Sequence, residues 1–182
     1  MDVIAESITI AKIRTYFPEA IIETYPSLTD EAILIKKESI VSVLELLKND
    51  KDLDYNMLMD SGAVDYLKFP VRKRERFEVY YQMYSLTKNH RIRLKCPVSI
   101  KDPTIDSASH LWRSANWAER ETFDQFGIKF NNHPNLKRIL NHHEFVGHPL
   151  RKDYPVKKRQ ALSINDSLMD EMDKELIKKG LK

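Results

Sequence analysis

The stretch FEVYYQMYSLTKNHRIRLKCPV, residues 77–98, decides how this chain folds. Phe77, Val79, Tyr81 and Met83 alternate with Glu78, Tyr80, Gln82 and Tyr84. Ile92, Leu94, Cys96 and Val98 then alternate with Arg91, Arg93 and Lys95. A period of two sends successive side chains to opposite faces, so each run reads as a strand with one apolar face. The link Thr87-Lys88-Asn89 suits a turn, which makes the pair a hairpin. Its apolar face needs a cover, supplied by helices before and after it. The Arg91/Arg93/Lys95 face is expected to be solvated, with a partner contact as the alternative. Cys96, between apolar neighbours, is expected as a small core residue.

Towards the N-terminus, Ile4, Ile8, Ala11 and Ile13 fall near helical spacing, and Pro18 closes a short helix over residues 2–17. Ala20–Thr24 and Ala32–Lys36 are two short β-rich runs around the turn Pro26-Ser27-Leu28-Thr29-Asp30, a second hairpin. Ile40, Val41, Val43, Leu44 and Leu47 mark a helix over Glu38–Leu47 that packs on it. Within Leu53–Leu67 the triplet Asp60-Ser61-Gly62 reads as a bend in or between strands. The cluster Arg72, Lys73, Arg74 and Arg76 reads as a solvated approach to the central hairpin.

Towards the C-terminus lies the longest helical pattern. Leu111, Ala115, Ala118, Thr122 and Gln125 line one side, and Trp112, Asn116, Glu119, Phe123 and Phe126 the next. Gly127 is placed to end it in a left-handed conformation. Regular periodicity then fades for nearly forty residues, a length that calls for a function or a partner surface. Asp166–Lys179 reads as a last helix, acidic early and basic late. The predicted architecture is α+β: a mixed or antiparallel sheet with flanking helices and an extended, irregular C-terminal segment. It divides into a core over residues 1–130, a partner-binding loop segment over 131–160 and a helical tail over 161–182.

Composition narrows the function. The chain has 182 residues, 42% hydrophobic and 31% charged, as in a soluble globular protein with a sizeable core. With 30 basic and 27 acidic residues the net charge is +3, too balanced for a general nucleic-acid binder. A single cysteine forbids an internal disulfide or a cysteine-held cluster and fits a reducing compartment. The first residues lack the pattern of a signal peptide, and no run of about 18 apolar residues spans a membrane. Four glycines form no phosphate-binding loop.

Candidate functional residues concentrate after Trp112. Glu119, Arg120 and Glu121 stand mid-helix beside Trp117 and Phe123 without a partner that would make an acid–base pair. They are expected to form ion pairs that fix the helix against the loop after it. His133, His142, His143 and His148 lack the spacing and cysteine company of a zinc site. His133-Pro134 and His148-Pro149 are expected to hold turns. Arg151, Lys152 and Asp153 lie between Pro149 and Pro155, which limit the loop's freedom before binding. Arg151 suits a bidentate contact with a carboxylate, on another subunit or within the chain. Arg151→Ala is expected to weaken assembly without altering the fold of the isolated chain.

The segments WRSANWAERETFDQFGIKF (Trp112–Phe130), HPNLKRIL (His133–Leu140) and GHPLRKDYP (Gly147–Pro155) resemble, in order and spacing, the 30-kDa subunit family of respiratory complex I, the C subunit of NADH–quinone oxidoreductase. Two positions depart from that pattern. Asn132 stands where the family carries Gly, and Asn141-His142-His143-Glu144 replaces a more acidic link. The resemblance implies an architectural subunit of the peripheral arm, on the cytoplasmic face of the cell inner membrane. It implies packing beside the D subunit, with the B and iron–sulfur subunits near. FMN, iron–sulfur clusters and quinone would sit on those partners, none on this chain, and nucleic acid would not be bound. Trp117, Glu119, Arg120, Glu121, His133, Arg138, His148, Arg151, Lys152 and Asp153 are the interface residues it implies. An equivalent subunit of a complex I-like membrane-bound hydrogenase and, from a different class, an RNA-binding module are the alternatives.

Overall fold

The structure, a computed structural model, describes residues 7–25, 31–158, 160 and 167–180. In chain order it forms α1 (Ile8–Tyr16), β1 (Ile21–Tyr25), β2 (Glu31–Ile35), α2 (Ile40–Asn49) after a single 3-10 turn, β3 (Met57–Asp65), β4 (Phe77–Ser85), β5 (His90–Val98), β6 (Thr104–Asp106), α3 (Arg113–Phe126), β7 (Lys129–Asn131) and α4 (Ser167–Lys178). The predicted turn over residues 26–30, residues 2–6 of the first predicted helix, and residues 161–166 and 181–182 of the predicted tail lie outside the described residues.

β4 and β5 pair antiparallel in unbroken register from Phe77↔Val98 to Ser85↔His90. The alternation in sequence becomes alternation in burial: Phe77, Val79, Tyr81, Met83, Ile92, Leu94, Cys96 and Val98 are all enclosed. The five-stranded sheet runs β1-β2-β5-β4-β3. The β1–β2 hairpin joins through a parallel pairing of β2 with β5, and β3 is antiparallel to β4. The sheet is therefore mixed. Its apolar face is covered by Ile13 of α1 and by Ile40, Val43, Leu44 and Leu47 of α2, which recur at helical spacing. Ser7 caps α1 by accepting the Ile10 N–H at 3.3 Å.

The other sheet face carries the basic row, and its side chains have internal partners. Arg93 Nε donates to Gln82 at 2.7 Å, Lys95 pairs with Glu78 at 3.1 Å, and Arg91 lies over the Tyr84 ring. Arg91 and Arg93 remain exposed, as a solvated face requires.

Two local expectations are corrected. No bend occurs at Asp60-Ser61-Gly62: the strand runs through, pairing with Gln82, Tyr81 and Tyr80, and its irregularity falls between Leu58 and Asp60. Gly62 serves close approach instead. A Cβ there would meet the Tyr80 hydroxyl at 2.8 Å, so the missing side chain lets the Tyr80 ring lie across β3. Trp112 does not belong to α3. It is the N-cap residue in extended conformation, and its indole N–H donates to Asn56 O at 3.1 Å. With Ser114 Oγ donating to Leu58 O at 3.3 Å, it docks α3 against the backbone of β3. β6 and β7 pair in parallel on either side of α3 in sequence, with Ile105 and Phe130 turned into the core.

Candidate subunit-interface site

The segment of residues 127–151 is organised by how α3 ends. A helix leaves its last four carbonyls without internal partners, and the following loop supplies one to each. Gly127 N–H reaches Phe123 O at 2.8 Å and Leu150 N–H reaches Gln125 O at 3.1 Å. Arg151 Nε donates to Phe126 O at 2.5 Å. Asp124 O lies 3.2 Å from Arg138 Nη1 and 3.0 Å from His148 Nδ1. Gly127 makes the arrangement possible with φ of 74°. A Cβ at this position would stand 2.5 Å from both Arg151 Nη2 and His148 Nε2.

The Asp124 side chain is the hub. It is wholly enclosed and accepts five hydrogen bonds: from Arg138 Nη1, Asn141 Nδ2, and the backbone N–H groups of Ile139, Leu140 and Asn141. Burial pushes the carboxyl up, but the donors from Asn141, Arg138 and Leu140 outweigh it and hold it at about 2. Arg138 Nη2 continues to Gly147 O at 2.9 Å, so one ion pair fixes both ends of residues 138–147. Sequence reading missed Asp124. A signal was present, because an acid in the last turn of a helix opposes the macrodipole and needs a local reason.

A second anchor ties the loop to the sheet. Arg76 grips Asp65 through Nε at 3.1 Å and Nη2 at 2.9 Å, and also reaches Asp153 at 2.8 Å. Asp65 accepts the Lys152 N–H at 2.8 Å as well. Burial raises the Asp65 carboxyl, and Arg76 with the N–H groups of Lys152 and Leu67 brings it below the usual range. Arg76 is thus an anchor and not part of the solvated basic cluster, while Arg72, Lys73 and Arg74 are exposed.

The predicted interface residues separate by direction. Trp117, Glu121, Lys152 and Asp153 are exposed. Arg120 bonds two carbonyls of the loop, Lys137 O and Arg138 O, both at 3.1 Å. It ties helix to loop as expected, but through backbone and not through a carboxylate. Among the described residues Arg151 makes no ion pair within the chain. It caps Phe126 O and lies over the Phe77 ring, so its side chain supports the fold of the chain itself. His148 is half-buried, and burial together with Arg151 and Arg138 lowers its pKa.

Glu119 and His133 have fully enclosed side chains, which are spent on contacts inside the chain. Glu119 makes no ion pair with Lys or Arg among the described residues. It accepts Ser107 Oγ at 2.6 Å and Ala108 N–H at 2.7 Å, fastening the helix to the segment before it, not after it. Burial pushes its carboxyl up to about 7 against those two bonds. His133 accepts the Asn135 N–H at 3.0 Å and contacts Asn116 O at 3.0 Å, which holds its turn. Asn132, where Gly is the family's residue, has φ of 61°, a conformation that Asn tolerates. His142 and His143 rings lie 4.2 Å apart, and among the described residues no three His, Cys, Asp or Glu side chains gather as a metal site.

The outer side of this framework is apolar at its tips. Trp117 is 68% exposed, Leu140 65%, Val146 68% and Val156 100%. Trp117 belongs to α3, and Leu140, Val146 and Val156 to the anchored loop.

Comparison with known proteins agrees with these features. The family model for "Respiratory-chain NADH dehydrogenase, 30 Kd subunit" matches residues 33–160. The chain is 46% identical over 147 residues to the C subunit of NADH-quinone oxidoreductase from Citrifermentans bemidjiense, covering 81% of this chain and 88% of that one. With the same subunit of Geotalea uraniireducens the identity is 41% over 155 residues, covering 85% and 91%. The solved trypsin-resistant fragment of Nqo5 superposes with a TM-score of 0.55 at 33% identity, over 61% of this chain and 86% of that one. A chain of the membrane-bound sulfane sulfur reductase, an archaeal respiratory membrane complex, shares the fold with a TM-score of 0.64 at 18% identity, over 91% and 89%. By its motifs, its fold and these relatives, the chain belongs to the 30-kDa subunit family of the respiratory-chain NADH dehydrogenase.

Proposed function

We propose that this chain is a non-catalytic structural subunit in the peripheral arm of a proton-translocating NADH:quinone oxidoreductase. The whole enzyme passes electrons from NADH through FMN and iron–sulfur clusters to quinone, and the neighbouring subunits hold those groups. This chain packs beside the D subunit, near the B and iron–sulfur subunits. It meets the cytoplasmic side of the cell inner membrane only through them; among the described residues no helix is long and apolar enough to cross a membrane. The observation that carries this reading is the loop of residues 132–158. Its backbone is fixed to α3 by Asp124 and to the sheet by Asp65 and Arg76, while its apolar tips face outward. A loop ordered before binding loses little entropy on docking, which suits a permanent contact between subunits.

A mild-detergent pull-down of the tagged chain from native membranes tests this. Flavin and iron–sulfur subunits with NADH-dependent quinone reduction in the eluate are expected. Hydrogenase-like partners would keep the architecture and change the electron donor. Recovery of RNA, or of no partner, would overturn the reading.

A further inference from the structure

Glu119 is buried in α3 with none of its surface exposed. Its Oε2 lies 2.6 Å from Ser107 Oγ, and Ser107 Oγ lies 2.7 Å from Ser109 Oγ. Ser109 is half-exposed, so two hydroxyls form a file from the surface to the buried carboxyl. A hydroxyl both donates and accepts, so the file can run in either direction. With Glu119 neutral, Oε2–H donates to Ser107, Ser107 to Ser109, and Ser109 outward. With Glu119 ionised, each bond reverses. Ala108 N–H donates to Oε1 at 2.7 Å in both states.

Two ring side chains bear on this carboxyl. Ionisation of Tyr81, in β4, is disfavoured by the charges of Cys96, Glu119 and Asp106, and among the described residues its buried hydroxyl has no hydrogen-bond partner. His133 approaches from the turn after β7, its Nε2 4.0 Å from Glu119 Oε2. The Asn135 N–H points at His133 Nδ1 at 3.0 Å, so Nδ1 is an acceptor and Nε2 carries the proton. That Nε2–H donates to Asn116 O at 3.0 Å. Beyond the Ser107 hydroxyl and the Ala108 N–H, the hydrogen aimed at Asn116 is a further donor within reach of an ionised Glu119.

We propose that Glu119 is a proton-binding switch, loaded and emptied through Ser107 and Ser109, whose ionisation draws His133 Nε2–H off Asn116 and loosens the turn over residues 133–135. The balance is simple. The Glu119 O–H bond breaks and its proton passes to Ser107, the Ser107 proton to Ser109, and the Ser109 proton to water. The electron pair stays on the carboxylate, which then accepts the imidazole N–H. The desolvation that lifts the Glu119 carboxyl to about 7 brings this event to neutral pH. Because the 133–135 turn opens the loop of residues 132–158, proton binding and the geometry of that loop are coupled.

The test is a titration of the full-length chain across neutral pH by heteronuclear magnetic resonance, following the Glu119 Cδ, His133 ring nitrogens and Asn135 amide. The expected result is one shared midpoint near 7 for all three. In Glu119→Gln the His133 and Asn135 signals are expected to lose that transition. A carboxyl already ionised in mild acid would overturn the switch, as would a Glu119 titration that leaves His133 and Asn135 unmoved. Titration of the unaltered chain decides the matter even if the variant fails to fold. No partner subunit takes part, so the result stands apart from the proposed role in assembly.

Discussion

Two acids on one helix, five residues apart, meet opposite fates because of their donors. Asp124 collects an arginine, an amide and three backbone N–H groups, and stays ionised. Glu119 collects one hydroxyl and one N–H, and burial wins. Asp124→Ala would leave Arg138 half-buried without its counter-charge and three N–H groups without acceptors. The expected loss is about 3–5 kcal/mol in urea unfolding. Their pH dependences differ in sign. The Asp124 pKa is depressed, so its stabilisation is complete above about 4 and is lost as pH falls towards about 2. The Glu119 pKa is raised, so its contribution is complete below the ordinary carboxyl value of 4.5 and is lost as pH rises through about 7. At about 1.4 kcal/mol for each tenfold change in proton affinity, this window carries a few kcal/mol. Glu119→Gln is expected to flatten the decline in stability between mild acid and neutral pH, and unfolding series at several pH values would reveal it. An unchanged slope in the variant would assign the decline to other groups.

At the scale of elements, the strands and helices followed from periodicity, because one side of each is buried and burial leaves a pattern in sequence. The β4–β5 hairpin, α2 and the glycine end of α3 were legible for that reason. Contacts between segments distant in sequence left no such pattern. The pairing of Asp65 with Arg76 and Lys152, or of Asn56 O with Trp112, depends on which surfaces meet after folding. The bend wrongly expected at Gly62 belongs here too: a glycine in a strand signals either a turn or a close approach, and only the neighbouring Tyr80 decides which. Gly127 meets both requirements at once, a left-handed φ and room for Arg151 and His148. Gly127→Ala is therefore expected to cost about 2 kcal/mol, from the backbone and from the displaced caps together. Hydrogen exchange should locate the loss in the last turn of α3 and at Leu150, whose N–H caps Gln125. Protection unchanged at both places would mean that the caps tolerate a methyl group.

For the whole molecule, the question is what the exposed apolar tips are for. The family motifs mix residues with two duties, and sequence alone does not separate them. Glu119, Arg120, His133 and Arg138 are spent on internal bonds that hold α3 and the loop. Trp117 stands in the same run but is 68% exposed, so it contributes little to the isolated fold. Substituting an exposed side chain usually changes stability by no more than about 0.5 kcal/mol. A buried aromatic at the centre of an interface, by contrast, commonly contributes about 2 kcal/mol or more to binding. Trp117→Ala should therefore leave the unfolding midpoint of the purified chain almost unchanged while lowering its recovery in the membrane complex by tenfold or more, since about 1.4 kcal/mol corresponds to a factor of ten. Thermal unfolding of the chain and quantitative pull-down from the same cells measure the two sides. A variant that assembles normally would remove Trp117 from the interface. One that unfolds early would show that the indole supports the fold after all. Only loss of assembly with retained stability fits a surface held ready for a partner.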